Sequence, residues 1–181
     1  MDEVISFEQF FRREYSSLVA LGTALTGDRS TGEDLAQEAL RLTHARWSDV
    51  SGYELPIGFT RRAMIDRASN ERRRRGREER ALRRLASRRR LGGGRADASP
   101  LDPLWAEVAT LPDNQRAAVA LRYVEDLSPT EIADVLGCAD ATVRVHLHRA
   151  HKTLAARLGD TYVSGEGDHG DIDEDRIEDE A

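Results

Sequence analysis

Residues 127–150 read LSPTEIADVLGCADATVRVHLHRA, and nearly every position in them carries a structural instruction. Ser128-Pro129-Thr130-Glu131 places a hydroxyl at a helix N-cap, proline at the first helical position and a glutamate three residues after the cap. Serine and glutamate there satisfy each other's backbone N–H groups, and the missing proline N–H costs nothing. Ile132, Ala133 and Leu136 then share one face. Gly137 supplies a residue that takes a left-handed conformation at the helix end. A second helix follows from about Asp140, with Val143, Leu147 and Ala150 as its buried stripe. Ala133 is small enough for the point where two short helices cross steeply. The layout is that of a helix-turn-helix. In such a motif the exposed N-terminal half of the second helix enters the DNA major groove. Its outward positions are Thr142, Arg144, Val145, His146, His148 and Arg149. Arg144 suits guanine O6 and N7, Thr142 a phosphate and Val145 a thymine methyl. A helical hairpin with a merely solvated polar face is the competing reading.

Upstream, Leu91-Gly92-Gly93-Gly94, Ala98-Ser99-Pro100 and Pro103 have linker composition. We therefore divide the chain into a helical domain over 5–90, a linker over 91–103, a helix-turn-helix domain over 104–158 and a disordered acidic tail over 159–181. Ala, Leu, Arg and Glu dominate, so the expected class is all-α. In the first domain a helix is expected from Ser6 to Leu25, capped by Ser6 with Gln9, with Phe7, Phe11, Leu18, Leu21 and Leu25 inward. Thr26-Gly27-Asp28 stops it. Ser30 with Glu33 reads as the cap of a second helix ending near Trp47, with Leu35, Ala39 and Leu42 as its apolar stripe. Pro56 opens a third that continues into the arginines beyond Asn70. Trp47, Phe59 and Met64 are expected to help fill the bundle.

The net charge of −6 hides a segregation. From Asp160 onward there are ten acidic residues and one basic, which leaves 26 basic against 23 acidic in the rest, a body at +3. Residues 72–90 alone hold eleven arginines against two glutamates. A basic body with an acidic tail suggests a polyanion partner, a solvated arginine-rich helix being the plainer explanation. The tail, Asp171 to Glu180 above all, either keeps the chain soluble or folds back on the arginines as a mimic of DNA. The single cysteine, Cys138, excludes an internal disulfide. With no long apolar run and no signal-peptide pattern at the acidic N-terminus, the expectation is a soluble cytoplasmic protein without membrane insertion. His146 and His148 point about 160° apart on a helix. The histidines with Cys138 therefore read as DNA-facing or solvated, not as metal ligands. No catalytic triad, phosphate loop or cofactor motif is present, and the chain reads as a non-enzyme without cofactors.

Helix-turn-helix motifs are common, so the first domain must decide the class. Glu33-Asp34-Leu35-Ala36-Gln37-Glu38 followed by Trp47 resembles the "EDLVQE…W" signature of sigma region 2.2. Pro56 to Arg75, with Phe59 and Arg61-Arg62, resembles regions 2.3 and 2.4. Leu111-Pro112, Arg116, Leu121-Arg122-Tyr123, Leu127-Ser128, Glu131-Ile132-Ala133 and Thr142-Val143-Arg144 resemble region 4 of extracytoplasmic-function (ECF) RNA polymerase sigma factors. The match runs in order from Phe7 to Leu158, without the large sigma domains 1 and 3. The resemblance implies that Asp34, Gln37, Glu38 and Arg41 dock on core RNA polymerase, a role for which a carboxylate-rich face opposite a basic partner is suited. It implies that Phe59, Arg62, Asp66, Ser69 and Arg73 meet the −10 promoter element where the strands part. Thr142, Arg144, Val145, His146, His148 and Arg149 would meet the −35 element. Promoter DNA and core polymerase are thus the implied partners, with an anti-sigma factor left open. Asp66 stands where many relatives carry asparagine, His44 where an aromatic is common, Ala139 where serine usually caps the recognition helix (Asp140 is then the expected cap), and Val145-His146 where Ser-Arg is frequent. Two other functions remain: a helix-turn-helix regulator that never joins polymerase, and a nuclease using carboxylates such as Asp34 and Glu38.

Overall fold

In a computed structural model, which describes residues 5–86 and 103–158, the chain forms eight helices and no strand among those residues. The expected linker, except its last residue, and the whole acidic tail lie outside the described residues. The N-terminal lobe comprises α1 (Phe7–Thr26), α2 (Arg29–Ala45), the single turn α3 (Trp47–Val50) and the long α4 (Pro56–Ala86). The C-terminal lobe comprises α5 (Pro103–Val108), α6 (Asp113–Tyr123), α7 (Pro129–Leu136) and α8 (Asp140–Leu158).

The capping chemistry sets most boundaries. Ser6 and Ser128 each form the full reciprocal box, with Gln9 and Glu131. Gly27 and Gly137 end α1 and α7 at φ 77° and 66°, where a side chain would be strained. One cap differs from expectation. Asp28, not Ser30, starts α2, its carboxylate accepting from the Thr31 N–H and hydroxyl at 2.7 Å each. Asp28 follows the α1 stop directly, so the chain turns within two residues and the Ser30 hydroxyl falls inside the helix. Asp140 is likewise the first residue of α8, not its cap. The Ala139 carbonyl accepts from the Val143 N–H, and the Asp140 carboxylate takes the Thr130 hydroxyl at 2.6 Å.

Two apolar stripes hold at Leu18, Leu21 and Leu25 of α1 and at Leu35 and Ala39 of α2, and each differs from expectation at one position. On α1 the fully buried aromatic is Phe10, while Phe11 is 37% exposed. Phe10 and Phe7 close on Trp47 at centroid separations of 5.0 and 5.4 Å, and His44 lies 4.5 Å from Phe7. On α2 the buried set is Leu35, Ala36, Ala39, Leu40 and Thr43, and Leu42 is 45% exposed. Met64 is fully buried; Phe59 stays half-exposed at the surface beside Tyr53. α2 ends at Ala45, so Trp47 opens α3 instead of closing α2.

α1 and α2 meet backbone to backbone. A Cβ on Gly22 would sit 2.4 Å from the Gly32 carbonyl oxygen, and one on Gly32 would sit 2.4 Å from the Thr23 nitrogen. Between α2 and α4, the buried Thr43 and Thr60 hydroxyls pair at 2.9 Å. The core does not stop at the lobe boundary. Phe10, Leu18, Leu21 and Met64 belong to one apolar cluster with Ala117, Leu121, Ile132 and Val143. A smaller cluster of Val108, Leu111, Val119, Ala150 and Leu154 fixes α8 within the C-terminal lobe.

Candidate polymerase and nucleic-acid interfaces

Along α2, Asp34, Gln37 and Arg41 are exposed and Glu38 half-exposed, on the side away from Leu35 and Ala39. Glu38 pairs with Arg41 one turn on, and Arg67 of α4 approaches it at 3.6 Å. Leu42 lies one turn beyond Glu38 and beside Arg41 on this open face, so the acidic patch carries an apolar residue that the sequence reading had assigned to the core. Asp34 and Glu38 border an open groove of about 610 Å³ whose other wall includes Arg67, Arg72 and Arg75.

On α4, Arg62, Asp66, Ser69 and Arg73 form one stripe. Arg62 Nε holds the Asp66 carboxylate at 3.1 Å. Phe59 lies on the preceding turn, in a second cavity of about 390 Å³ with Tyr53, Leu55, Arg61 and Arg62. On α8, Thr142, Arg144, Val145, His148 and Arg149 are exposed and His146 is half-buried, while Val143 and Ala150 are fully buried and Leu147 half-buried. Burial, and then the nearby Arg149 charge, hold the His146 imidazole below its usual pKa. Among the described residues no three of His, Cys, Asp and Glu converge as a metal site would require.

The stripe on α4 and the recognition helix face one cleft. It holds about 480 Å³ and is lined by Arg62, Asp66, Ser69 and Arg73 on one side and Thr142 and His146 on the other. The arginines of α4 also reach the C-terminal lobe directly. Arg62 Nη1 donates to the Leu136 carbonyl, and to that of Val135 at 3.4 Å, at the C-terminal end of α7. Arg72 donates to the carbonyls of Leu111 and, at 3.4 Å, Thr110. Arg72 and Arg73 both lie 3.5 Å from Asp113. Asp113 in turn holds the buried Arg116 at 2.9 Å; burial, with Arg72 nearby, lowers the pKa of that guanidinium, and Asp113 opposes the shift.

Sequence reasoning missed one further group. Glu125, in the turn between α6 and α7, has a side chain only 3% exposed. It accepts from the Ser17 hydroxyl of α1 at 2.6 Å and pairs with Arg61 of α4, itself 14% exposed. Its partners lie 108 and 64 residues away in the chain, so no local pattern marks it.

The helical body thus presents a polar, carboxylate-bearing face on α2 and arginine-bearing faces on α4 and α8. Comparison with known proteins makes this specific. The family "Sigma-70, region 4" matches residues 101–154. An RNA polymerase sigma-E factor of Streptomyces coelicolor is 30% identical over 168 residues, covering 87% of this chain and 89% of that protein. An ECF RNA polymerase sigma factor, EcfG of Rhodopseudomonas palustris, is 31% identical over 159 residues, covering 87% and 86%. The fold is similar to that of the sigma factor RpoE solved in complex with the anti-sigma factor NepR from Bartonella quintana, with a TM-score of 0.63, 23% identity, and coverage of 84% of this chain and 96% of that one. The chain belongs to the extracytoplasmic-function group of RNA polymerase sigma factors.

Proposed function

We propose that the chain binds core RNA polymerase through Asp34, Gln37, Glu38 and Arg41, and places that enzyme at promoters by reading two DNA elements. Thr142, Arg144, Val145, His146, His148 and Arg149 read the upstream, −35 element as duplex; Phe59, Arg62, Asp66, Ser69 and Arg73 engage the −10 element where the strands part. The single observation that carries this reading is the open acidic face of α2, with Asp34, Gln37 and Arg41 all exposed although the opposite side of the same helix is buried. A solvated polar face is ordinary on a surface helix; what sets this one apart is that it carries the Glu33-Asp34-Leu35-Ala36-Gln37-Glu38 run that resembles sigma region 2.2. Asp66 accepts hydrogen bonds but cannot donate while ionised, which favours a cytosine amino group at the base it meets.

The role is delivery: two modest DNA contacts become one specific complex because binding of the first raises the local concentration for the second. The chain performs no covalent chemistry and acts in the cytoplasm, where its polymerase is. No helix among the described residues is long and apolar enough to cross a membrane. An anti-sigma factor is a further candidate partner, since the RpoE of similar fold was solved in complex with one.

The test is co-elution of the chain with purified core polymerase on gel filtration. The wild-type chain should co-elute, and Asp34→Lys/Glu38→Lys should not while keeping its helical circular dichroism. Co-elution of the double variant to the wild-type extent would remove the α2 face from the account.

A further inference from the structure

Beyond Arg73, α4 runs on as a helix that nothing else among the described residues covers. Every residue from Arg74 to Leu82 is exposed except Gly76, and a Cβ on Gly76 would meet only the far end of Arg80, at 3.8 Å. Residues 72–80 hold six arginines. Arg72 and Arg73 turn to Asp113, and Arg74 and Arg75 share Glu71 at 3.0 Å. Among the described residues, Arg77 and Arg80 have no carboxylate within ion-pair distance. They donate instead to carbonyls of their own helix, those of Arg73 at 3.3 Å and Gly76 at 2.8 Å. Like charges three and four residues apart repel, and glycine costs a helix about 1 kcal/mol against alanine. A stretch built this way gains from an anion laid along it.

We propose that the acidic segment 171–180 of this same chain docks along that arginine ridge, between Arg74 and Leu82. The inference goes beyond the proposed function and holds whichever DNA elements the chain reads. Seven of the ten residues in the segment are acidic and one is basic, and carboxylates accept guanidinium bonds in charge-assisted pairs. The place where the tail leaves the fold favours this surface. α8 ends at Leu158, and its neighbour Arg157 donates to the Thr110 hydroxyl. The Thr110 carbonyl takes Arg72, at the foot of the ridge, at 3.4 Å. Asp171 lies thirteen residues beyond Leu158, a span of at most about 45 Å. From Arg72 to Ala86 the helix measures only about 21 Å, so the segment can reach all of it. A segment tethered within reach acts at a local concentration of about a millimolar, which a free polyanion does not match in dilute solution. α8 is the other basic helix, but it spreads four arginines and lysines over 19 residues, against six arginines in nine on α4. An apolar contact completes the match: Leu82 is 62% exposed on the ridge, and Ile172 and Ile177 interrupt the acids of the segment.

The experiment uses the full chain, labelled with nitrogen-15, in a Cys138→Ser background. A nitroxide is carried on Ala181→Cys, which adjoins Glu180 and removes no charge. At about 0.01 M ionic strength the backbone amide resonances of residues 74–82 should lose most of their intensity, while those of Glu8 to Arg13 at the far end of α1 keep theirs. At about 1 M, where the screening length is roughly 3 Å, the loss should vanish. Arg74→Gln/Arg77→Gln/Arg80→Gln, three exposed positions, should restore the resonances at low salt. Equal intensities at the ridge and on α1, a loss centred on Arg144 to Arg149 of α8, or a loss that the triple variant leaves in place would each overturn the proposal. Ridge resonances that ignore the nitroxide but shift on adding mixed-sequence duplex DNA would give the surface to nucleic acid and overturn it too. Mixing nitroxide-bearing chain without nitrogen-15 with labelled chain lacking the nitroxide tests for a second copy. The labelled chain should then keep its ridge intensities, and a loss as large as within one chain would contradict docking in the same molecule.

Discussion

Asp28 shows how much one side chain decides. Its carboxylate takes the N–H and hydroxyl of Thr31, and these bonds hold its pKa below the usual carboxylate range, the side-chain hydroxyl contributing most. A carboxyl with a depressed folded-state pKa contributes stability in full above its unfolded pKa. It loses that contribution as pH falls through the folded value. Asp28→Ala should therefore lower stability by about 1 kcal/mol at neutral pH, the ordinary worth of an N-cap. Asp28→Asn should keep most of the cap and flatten the acid limb of a stability-against-pH curve. An Asp28→Ala chain with the wild-type urea midpoint would remove the cap from the account. At the other end of the molecule, Arg144 is exposed on the first turns of α8. If it reads a base, Arg144→Ala should cost about 1–3 kcal/mol on the cognate upstream element and relax preference at one position. A uniform loss across all sequences in a competition binding assay would make it a phosphate contact.

At the scale of elements, the tightest contact is the α1–α2 crossing. The atoms that a Cβ on Gly22 or Gly32 would strike are backbone, 2.4 Å away, and cannot rotate aside. Gly32→Ala should therefore cost at least the ~1–3 kcal/mol typical of an overpacked core, read as a lowered denaturant midpoint. A midpoint at or above wild type would mean that the helices separate freely there. This crossing was not legible in the sequence. Gly22 and Gly32 look like ordinary glycines in helices, where they are unfavourable, until the helices are brought together. What was legible was local: the Ser6 and Ser128 boxes, the Gly27 and Gly137 stops and the helix-turn-helix they frame. The reading failed where two local patterns competed. Phe10 and Phe11 are adjacent, and only the position of Trp47 decides which turns inward. Leu35, Ala39 and Leu42 fit helical spacing, and Leu35 and Ala39 are buried, yet Leu40 and not Leu42 meets the core beside them. Phe59, Arg62, Asp66, Ser69 and Arg73 could be drawn on one face of α4 from spacing alone. That this face reaches the end of α7 depends on contacts between residues more than seventy positions apart.

For the molecule as a whole, charge and connectivity point the same way. The body carries a net +3 once residues 160–181 are set aside, and the arginines of α4 lie where the two lobes meet. If those arginines contact promoter phosphates as proposed, binding releases counterions, and promoter affinity should fall steeply with salt, more steeply for the wild-type chain than for Arg73→Ala. On the proposed function, one body joins a surface for an enzyme to surfaces for DNA. Its most direct test is transcription by core polymerase on genomic DNA of the encoding organism, with and without the chain, the RNA 5′ ends being mapped. The account predicts new, discrete start sites that appear only with the chain and share two upstream elements at fixed spacing. A set of 5′ ends no different from that of core polymerase alone would contradict it.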